Sequence, residues 1–307
     1  MQPMDKPLVS IVTPAYNQAE YLAATIESVL AQDYPGIEYI VVDDGSPDDT
    51  LAMARRYEGE RVRVLAQANA GQAATLNRAW GLARGEILAY LSSDDRLCPG
   101  AVSTMVKALE GRPEMAVAYC DFWIIDPVGR RLRISRTPEY DARALREELI
   151  CQPGPGAFFR RRVFESTGGW DVRRRQVPDF EFWLRAAREG DFLRVPEVLA
   201  EYRIHKGSAS FMAMSPERAD EIVEVIRCYW DRNPDQTTSR RSLARAQSIA
   251  AKNHAQSGRP LSALSRFAQA LRLRPALVAD GGIWRRLFVG FARRAYYGLR
   301  SATRART

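Results

Sequence analysis

Two pairs of adjacent aspartates, Asp43 with Asp44 and Asp94 with Asp95, each follow a short apolar run, "IEYIVV" (37–42) and "EILAYL" (86–91). Such runs read as buried strands, so each carboxylate pair is delivered at a strand end. Consecutive residues leaving a strand point in opposite directions, and the two acids of a pair need not compete for one partner. Carboxylates that leave water are costly unless paired. A hard divalent cation, Mg²⁺ or Mn²⁺, would pair with one of them and keep phosphate or water as further ligands. Its neighbour could then accept hydrogen bonds from a sugar hydroxyl. Plainer uses exist: Asp94 and Asp95 could start a helix at Pro99, and Ser46 with Asp48 could turn the chain after Asp44. A third apolar run, "LVSIVT" (8–13), ends in "PAYN" and sets Tyr16 at the same sheet edge. An aromatic ring there can stack on a nucleobase while a carboxylate accepts the base imide N–H; packing on the first helix is the ordinary alternative. Three strand ends that deliver aromatic, acidic and acidic residues together are much less common than any one of them.

The elements that must position these groups alternate. "LVSIVT", "IEYIVV", "RVRVLA" and "EILAYL" read as strands, separated by the amphipathic stretches "QAEYLAATIESVLAQ", "PDDTLAMARRYEG" and "GQAATLNRAWGLARG". This βαβαβαβ order predicts an α/β fold with a mostly parallel sheet and helices on both faces. Ligands of such sheets bind beyond the carboxyl ends of the strands. A helix is expected from Pro99 to about Glu110. "MAVAYCDFWIID" and "RRLRIS" then read as antiparallel strands, "GPGAFFRR" as a short strand and "DFEFWLRAAREG" as a helix. "FLRVPEVLAEYRIH" reads as one or two strands ending at His205. From Ser215 onward the pattern is helical, and "ARAQSIAAKNHAQSGRPLSALSRFAQALRLRPAL" suits either one tetratricopeptide-type hairpin or an ordinary helical extension. The expected organisation is a catalytic domain over 1–212, a helical extension over 213–278 and a basic tail over 279–307.

Four scattered cysteines without a C-x-x-C pair argue against structural zinc or a disulfide framework and suit a reducing cytosol. No signal peptide is read at the N-terminus, and no uncharged apolar run approaches a membrane span. The net charge of +8 is concentrated: residues 259–307 hold eleven arginines against one acid, Asp280. A nucleic-acid binder would carry its basic footprint on the folded body, so nucleic acid is not an expected partner.

Taken in order, the motifs resemble the inverting, GT-A-fold glycosyltransferases of family 2. "VSIVTPAYNQAEYLAATIESVLAQ" with "IEYIVVDDGSPDDT" is similar to that family's opening, and "NAGQAATLNRAWGLARGEILAYLSSDD" to its next block. "GGWD", "DFEFWLRAAREG" and "EYRIH" are similar to its acceptor-side half, so the resemblance spans about residues 7 to 210. It implies a mixed, Rossmann-like GT-A sheet flanked by helices. Tyr16 would stack on uracil and Asp44 would bond the base beside Asp43; Asp94 would meet the ribose or diphosphate end. Pro14, Asn17, Gly71 and Asn77 would also line the nucleotide-sugar site. Asp95 would coordinate Mn²⁺ or Mg²⁺, with His205 either a further ligand or a structural histidine. Asp179 matches the family's catalytic base, with Glu181 a nearby alternative. Gly156, Trp170, Asp171 and Glu181 fall on the acceptor or sugar side, Trp170 as a stacking surface or a core residue. The chain departs from the family at Pro178, where an acid is usual, at Leu76, where arginine is usual, and at Ser92, where aspartate is usual.

The chemistry implied is one in-line displacement at an anomeric carbon. Asp179, at the start of a helix whose dipole favours its charge, would take the acceptor hydroxyl's proton, and the metal would stabilise the leaving diphosphate. Arg173, Arg174 and Arg175 read as a solvated loop or as a lid over the diphosphate. In the tail, Trp284, Phe288, Phe291, Ala295 and Leu299 form a helical stripe opposite arginines. That stripe suits an anionic membrane surface or packing on the body. The expectation is a metal-dependent transferase using a UDP-sugar, acting on a glycan or lipid-linked saccharide in the cytoplasm, peripheral on the membrane's cytoplasmic face. The rivals are an inactive nucleotide-sugar-binding or assembly module and a sugar nucleotidyltransferase. The latter should carry a glycine-rich basic loop after the first strand, which "TPAYNQAEY" is not.

Overall fold

The computed structural model describes residues 6–207, 214–232 and 235–279. The chain divides into two compact units. The first runs to Ala142 and takes in Cys151–Arg173 and Pro178–His205; the second comprises Arg143–Ile150, Arg174–Val177 and the chain from Lys206. The basic stripe expected in the tail lies outside the described residues.

The first half of the chain alternates as expected: β1 (Val9–Ala15), α1 (Ala19–Leu30), β2 (Ile37–Asp43), α2 (Thr50–Arg55), β3 (Val62–Ala66), α3 (Gln72–Leu82) and β4 (Ile87–Tyr90). There follow β5 (Arg96–Leu97), α4 (Ala101–Leu109), β6 (Met115–Ile125), β7 (Arg131–Ser135), α5 (Ala142–Glu147), β8 (Phe158–Arg160), α6 (Arg161–Thr167), α7 (Pro178–Ala186) and β9 (Asp191–Arg203). The strands form one sheet in the order β3-β2-β1-β4-β8-β6-β9-β5, with β7 paired to β6. The strands β1 to β4 are parallel; β8 then runs antiparallel to both β4 and β6, which makes the sheet mixed. β9 is one continuous strand with register shifts against β6, and the two-residue β5 exists only by pairing with it.

The apolar runs of β1, β2 and β4 are continuous because both faces of the sheet are covered. Val9, Ile11, Tyr39, Val41, Ile87 and Ala89 share a cluster with Leu22, Ile26 and Val29 of α1 and Val102, Met105, Val106 and Leu109 of α4. A second, aromatic layer centres on the fully buried Trp80 of α3, which stacks on Phe182 of α7 and meets Phe159 of β8 edge-on.

In the second unit, α8 (Pro216–Asp231), α9 (Gln236–Gln256), α10 (Pro260–Leu273) and a 3-10 turn (Pro275–Ala279) bear out the helical reading. α9 and α10 form the hairpin around "SGRP", over a small core of Ala244, Ala251, Phe267, Ala270 and Leu277. A buried polar knot ties the three helices. His254 bonds Asp220 at 3.0 Å, Arg259 donates to the ring's Nδ1 at 2.9 Å, and Arg266 meets Asp220 at 2.6 Å. Because Nδ1 accepts, the proton of the neutral ring sits on Nε2 and faces Asp220.

Candidate functional site

The chain crosses from β3 on one side of β1 to β4 on the other, so a topological switch point lies at β1, where α/β sheets bind ligands. The local sequence keeps the sheet open there. Ala15 O accepts from Asp44 on the β2 side, while Val12 O accepts from Leu91 on the β4 side. By alternation Pro14 also faces β4, where it has no N–H to give, and pairing with β4 stops at Val12 and Tyr90. Beyond it Tyr16 stands 49% exposed, and Asn17 adopts a left-handed φ of 55°. The loop after β2 supplies the acceptors that α1 lacks at its start: Ser46 Oγ, Thr50 Oγ1 and Asp48 Oδ2 accept from the N–H groups of Asn17, Gln18 and Ala19. The turn role read for Ser46 and Asp48 is present, since Asp48 Oδ1 also accepts from Thr50 N at the start of α2 and Ser46 N donates to Asp43. Both residues serve the start of α1 as well.

Asp43 and Asp44 are both buried and differently occupied. Asp44 accepts from Gln67 Nε2 at 2.7 Å, from Ala70 N at 2.9 Å and from Gly71 N at 2.8 Å. It hangs the 67–71 loop from β2, and Gly71, at φ 86°, is the N-cap of α3. Asp43 accepts from Ser46 N through Oδ2, and its Oδ1 is buried with no hydrogen-bond partner.

The second pair is divided in the same way. Asp95 is 3% exposed and its Oδ1 accepts from Arg203 N at 2.9 Å; burial, then the charge of Asp94, pushes its carboxyl well above the usual range. Asp94 Oδ2 lies 3.0 Å from His205 Nε2. Of the two residues expected to ligate a metal, Asp95 and His205, the histidine is in contact with the neighbouring Asp94. The histidine meets Asp94, because β9 brings Arg203 to Asp95 and places His205 two residues further on. Two residues that sequence reasoning missed fix this turn. Thr25 Oγ1 of α1 contacts the carbonyls of Ser93 and Asp95 at 2.9 and 2.7 Å, and Arg203 donates to Asp94 O at 2.8 Å. The ring of Tyr21 covers both, 4.8 Å from His205 and 5.0 Å from the Arg203 guanidinium. Among the described residues no cluster of three or more His, Cys, Asp or Glu could hold a metal. A carboxylate beside an imidazole nevertheless fits Mn²⁺ or Mg²⁺ when phosphate and water complete the shell.

The remaining candidates are mostly held by neighbouring protein groups, and one acid, Asp179, is exposed. Asn77 holds the main chain of Trp170: its Nδ2 donates to Trp170 O at 2.7 Å and its Oδ1 accepts from Trp170 N at 2.8 Å. Trp170 is 5% exposed and edge-on to Tyr90 and Trp80, so it belongs to the core and offers no face to a sugar. Gly156 is buried where a Cβ would come within 2.9 Å of Ala200 Cβ; it serves close packing. Asp171 pairs with Arg173 at 2.8 Å. Of the three arginines read as a solvated loop or lid, Arg174 is buried and pairs with Glu224 at 2.9 Å, which anchors that stretch. Glu181 is committed to Arg185, whose other nitrogens reach the carbonyls of Thr167 and Gly169. Asp179, second residue of α7, is exposed and accepts from Phe180 N at 2.8 Å. Burial pushes the phenol of Tyr90 upward, and the charges of Asp95, Asp94 and Asp179 add to that push.

The comparisons show the family and the fold. The sequence pattern of "Glycosyl transferase family 2" matches residues 10–168. TuaG of Bacillus subtilis, a glycosyltransferase named for teichuronic acid biosynthesis, is 33% identical over 216 residues, which cover 67% of this chain and 82% of TuaG. A chondroitin synthase of Pasteurella multocida is 28% identical over 222 residues, 71% of this chain; that match spans only 23% of the synthase. In fold, the chain is similar to Staphylococcus aureus TarS 1–349 in complex with UDP-GlcNAc (TM-score 0.67, 19% identity, 92% of this chain and 89% of that one). It is also similar to the mannosyltransferase PcManGT of Pyrobaculum calidifontis in complex with GDP-Man and Mn²⁺ (TM-score 0.58, 20% identity, 98% and 84%). With an α/β sheet of the GT-A type, an open switch point and more than half of its length matched by the family pattern, this chain belongs to glycosyltransferase family 2.

Proposed function

We propose that the protein transfers a sugar from a nucleotide-sugar, UDP-linked, to a hydroxyl of a glycan or lipid-linked saccharide, with inversion at the anomeric carbon. The observation that carries this reading is the family pattern over residues 10–168, together with the switch point at β1, where exposed Tyr16 follows β1 and buried Asp43 and Asp44 stand at the end of β2. Asp94 is the acid we assign to the diphosphate end and Asp179 the acid we assign to the acceptor. The exposed ring of Tyr16 stacks on the base, and the spare acceptor capacity of Asp43 and Asp44 takes the imide N–H. Asp94 and His205 would hold a divalent cation, which when bound supplies Lewis-acid stabilisation of the leaving diphosphate. Asp179 takes the acceptor proton as the oxygen attacks in line, an effect worth about 10²- to 10⁴-fold. Support for a saccharide acceptor comes from the names of the relatives, and support for work at an anionic membrane surface from the arginine-rich tail. No helix among the described residues is long and apolar enough to cross a membrane.

Calorimetric titration of UDP, with and without Mn²⁺, on the wild type and on Asp94→Ala tests the donor site. Mn²⁺ should tighten UDP binding to the wild type by about tenfold or more, and that gain should vanish in Asp94→Ala. Equal UDP affinity with and without Mn²⁺ would remove the metal from the reading. Absence of UDP binding under both conditions would remove uridine and make GDP the next ligand to titrate.

A further inference from the structure

Three consecutive main-chain N–H groups converge on one side chain. Glu221 Oε2 accepts from Arg175 N, and Oε1 from Gln176 N and Val177 N, each at 2.8 Å. Glu221 lies on the buried face of α8 and is 6% exposed. Three residues further along α8, Glu224 receives the buried guanidinium of Arg174. Helix α8 therefore grips every residue from 174 to 177, and all of these contacts lie within the second unit. The next residue, Pro178, opens α7, and Asp179 follows it.

This is an unusual expenditure of buried charge. A carboxylate out of water is costly unless its oxygens accept hydrogen bonds, and here the backbone supplies the donors. The chain entering a helix has no i→i−4 bonds of its own, so its direction is set by whatever else holds it. We infer that Glu221 is a positioning residue for Asp179. It fixes the segment leading into α7, and the peptide chain passes that order on to the base. The inference rests on the glycosyl-transfer reading of Asp179 and assigns to α8 a part in the reaction.

Misplacement of a reacting group by about an ångström can cost on the order of 10²-fold in rate. In the full-length protein Glu221→Ala should lower kcat roughly 10- to 100-fold, measured with whichever of UDP-N-acetylglucosamine, UDP-glucose or GDP-mannose the wild type turns over. UDP affinity, read by calorimetry on the same samples, should stay within about twofold, since Tyr16, Asp43 and Asp44 lie elsewhere in the chain. Glu221→Gln keeps the volume and an amide oxygen that can accept two of the three N–H groups, so its kcat should lie between the two. It also serves as the test variant should the alanine protein fail to fold. Full kcat in both variants would overturn the inference. So would a parallel loss of kcat and UDP affinity, which marks general loosening. The wild-type UDP titration checks the donor site separately, so a protein that binds UDP while its Glu221 variants keep full kcat sinks the positioning role alone.

Discussion

At the scale of single residues the site is a set of acids sorted by their partners. Asp44 accepts from two main-chain N–H groups and Gln67, Asp95 from Arg203 N, and Glu181 is paired with Arg185. By contrast Asp43 keeps one buried oxygen without a hydrogen bond, Asp94 meets His205 and Asp179 is exposed. That sorting predicts how substitutions divide. Asp179→Asn should lower kcat by about 10²- to 10⁴-fold while leaving UDP affinity intact. Glu181→Gln should keep kcat within a few-fold and cost about 1.5–3 kcal/mol of stability from its largely buried ion pair with Arg185. The reverse pattern in steady-state kinetics would move the base to Glu181. From sequence, adjacent aspartates at a strand end were legible as chemistry. Which member of each pair is spent on the protein was not, because the donors come from Arg203, 108 positions away, and from the 67–71 loop.

At the scale of elements, β1 to β4 were legible because β-branched apolar runs of the right length alternate with helical patterns. β5 was not, since two residues carry no periodicity and the strand is defined by its partner β9. Other positions make sense only in three dimensions. Gly169 has φ 83°, and a Cβ there would stand 2.2 Å from Asn77 Oδ1, the atom that receives Trp170 N. Gly169→Ala should therefore cost roughly 2–3 kcal/mol in urea unfolding and red-shift tryptophan emission as Trp170 loosens. A second joint lies between β6 and β9. Burial alone would raise the carboxyl of Asp121, but the N–H and O–H of Thr137 and the Arg194 guanidinium outweigh it and hold the carboxyl below the usual range. A depressed folded value contributes stability fully above pH ~4 and loses it as pH falls through that lower value. Asp121→Asn should cost about 3 kcal/mol at neutral pH and flatten the acid limb of the stability curve below pH ~4. An unchanged limb in denaturant titrations from pH 6 to 3 would assign acid sensitivity to other groups.

At the scale of the whole molecule, charge is unevenly placed, with eleven arginines and one acid in residues 259–307. If the tail binds anionic lipid, the full-length protein should sediment with vesicles containing phosphatidylglycerol, and salt should release it. Removing residues 280–307 should abolish that sedimentation while UDP binding persists. Sedimentation that survives the truncation would place the lipid contact elsewhere on the chain. The linear division into domain and extension was legible from the change of pattern near Ser215. The recruitment of residues 143–150 and 174–177 to the helical unit was not, because it depends on Ser242 and Arg245 of α9 meeting the carbonyls of Arg146 and Glu148, and on α8 presenting Glu221 and Glu224 one turn apart.

The carboxylate of Glu221 recognises main chain and ignores side chains. The stretch from 175 to 177 can therefore change its composition freely without losing its anchor, with proline the one residue it cannot accept, for want of an N–H. Variety just ahead of Asp179 would then cost the protein little, and a lineage could alter the side chains of this stretch while a single glutamate, far along the chain, keeps the path of its backbone unchanged.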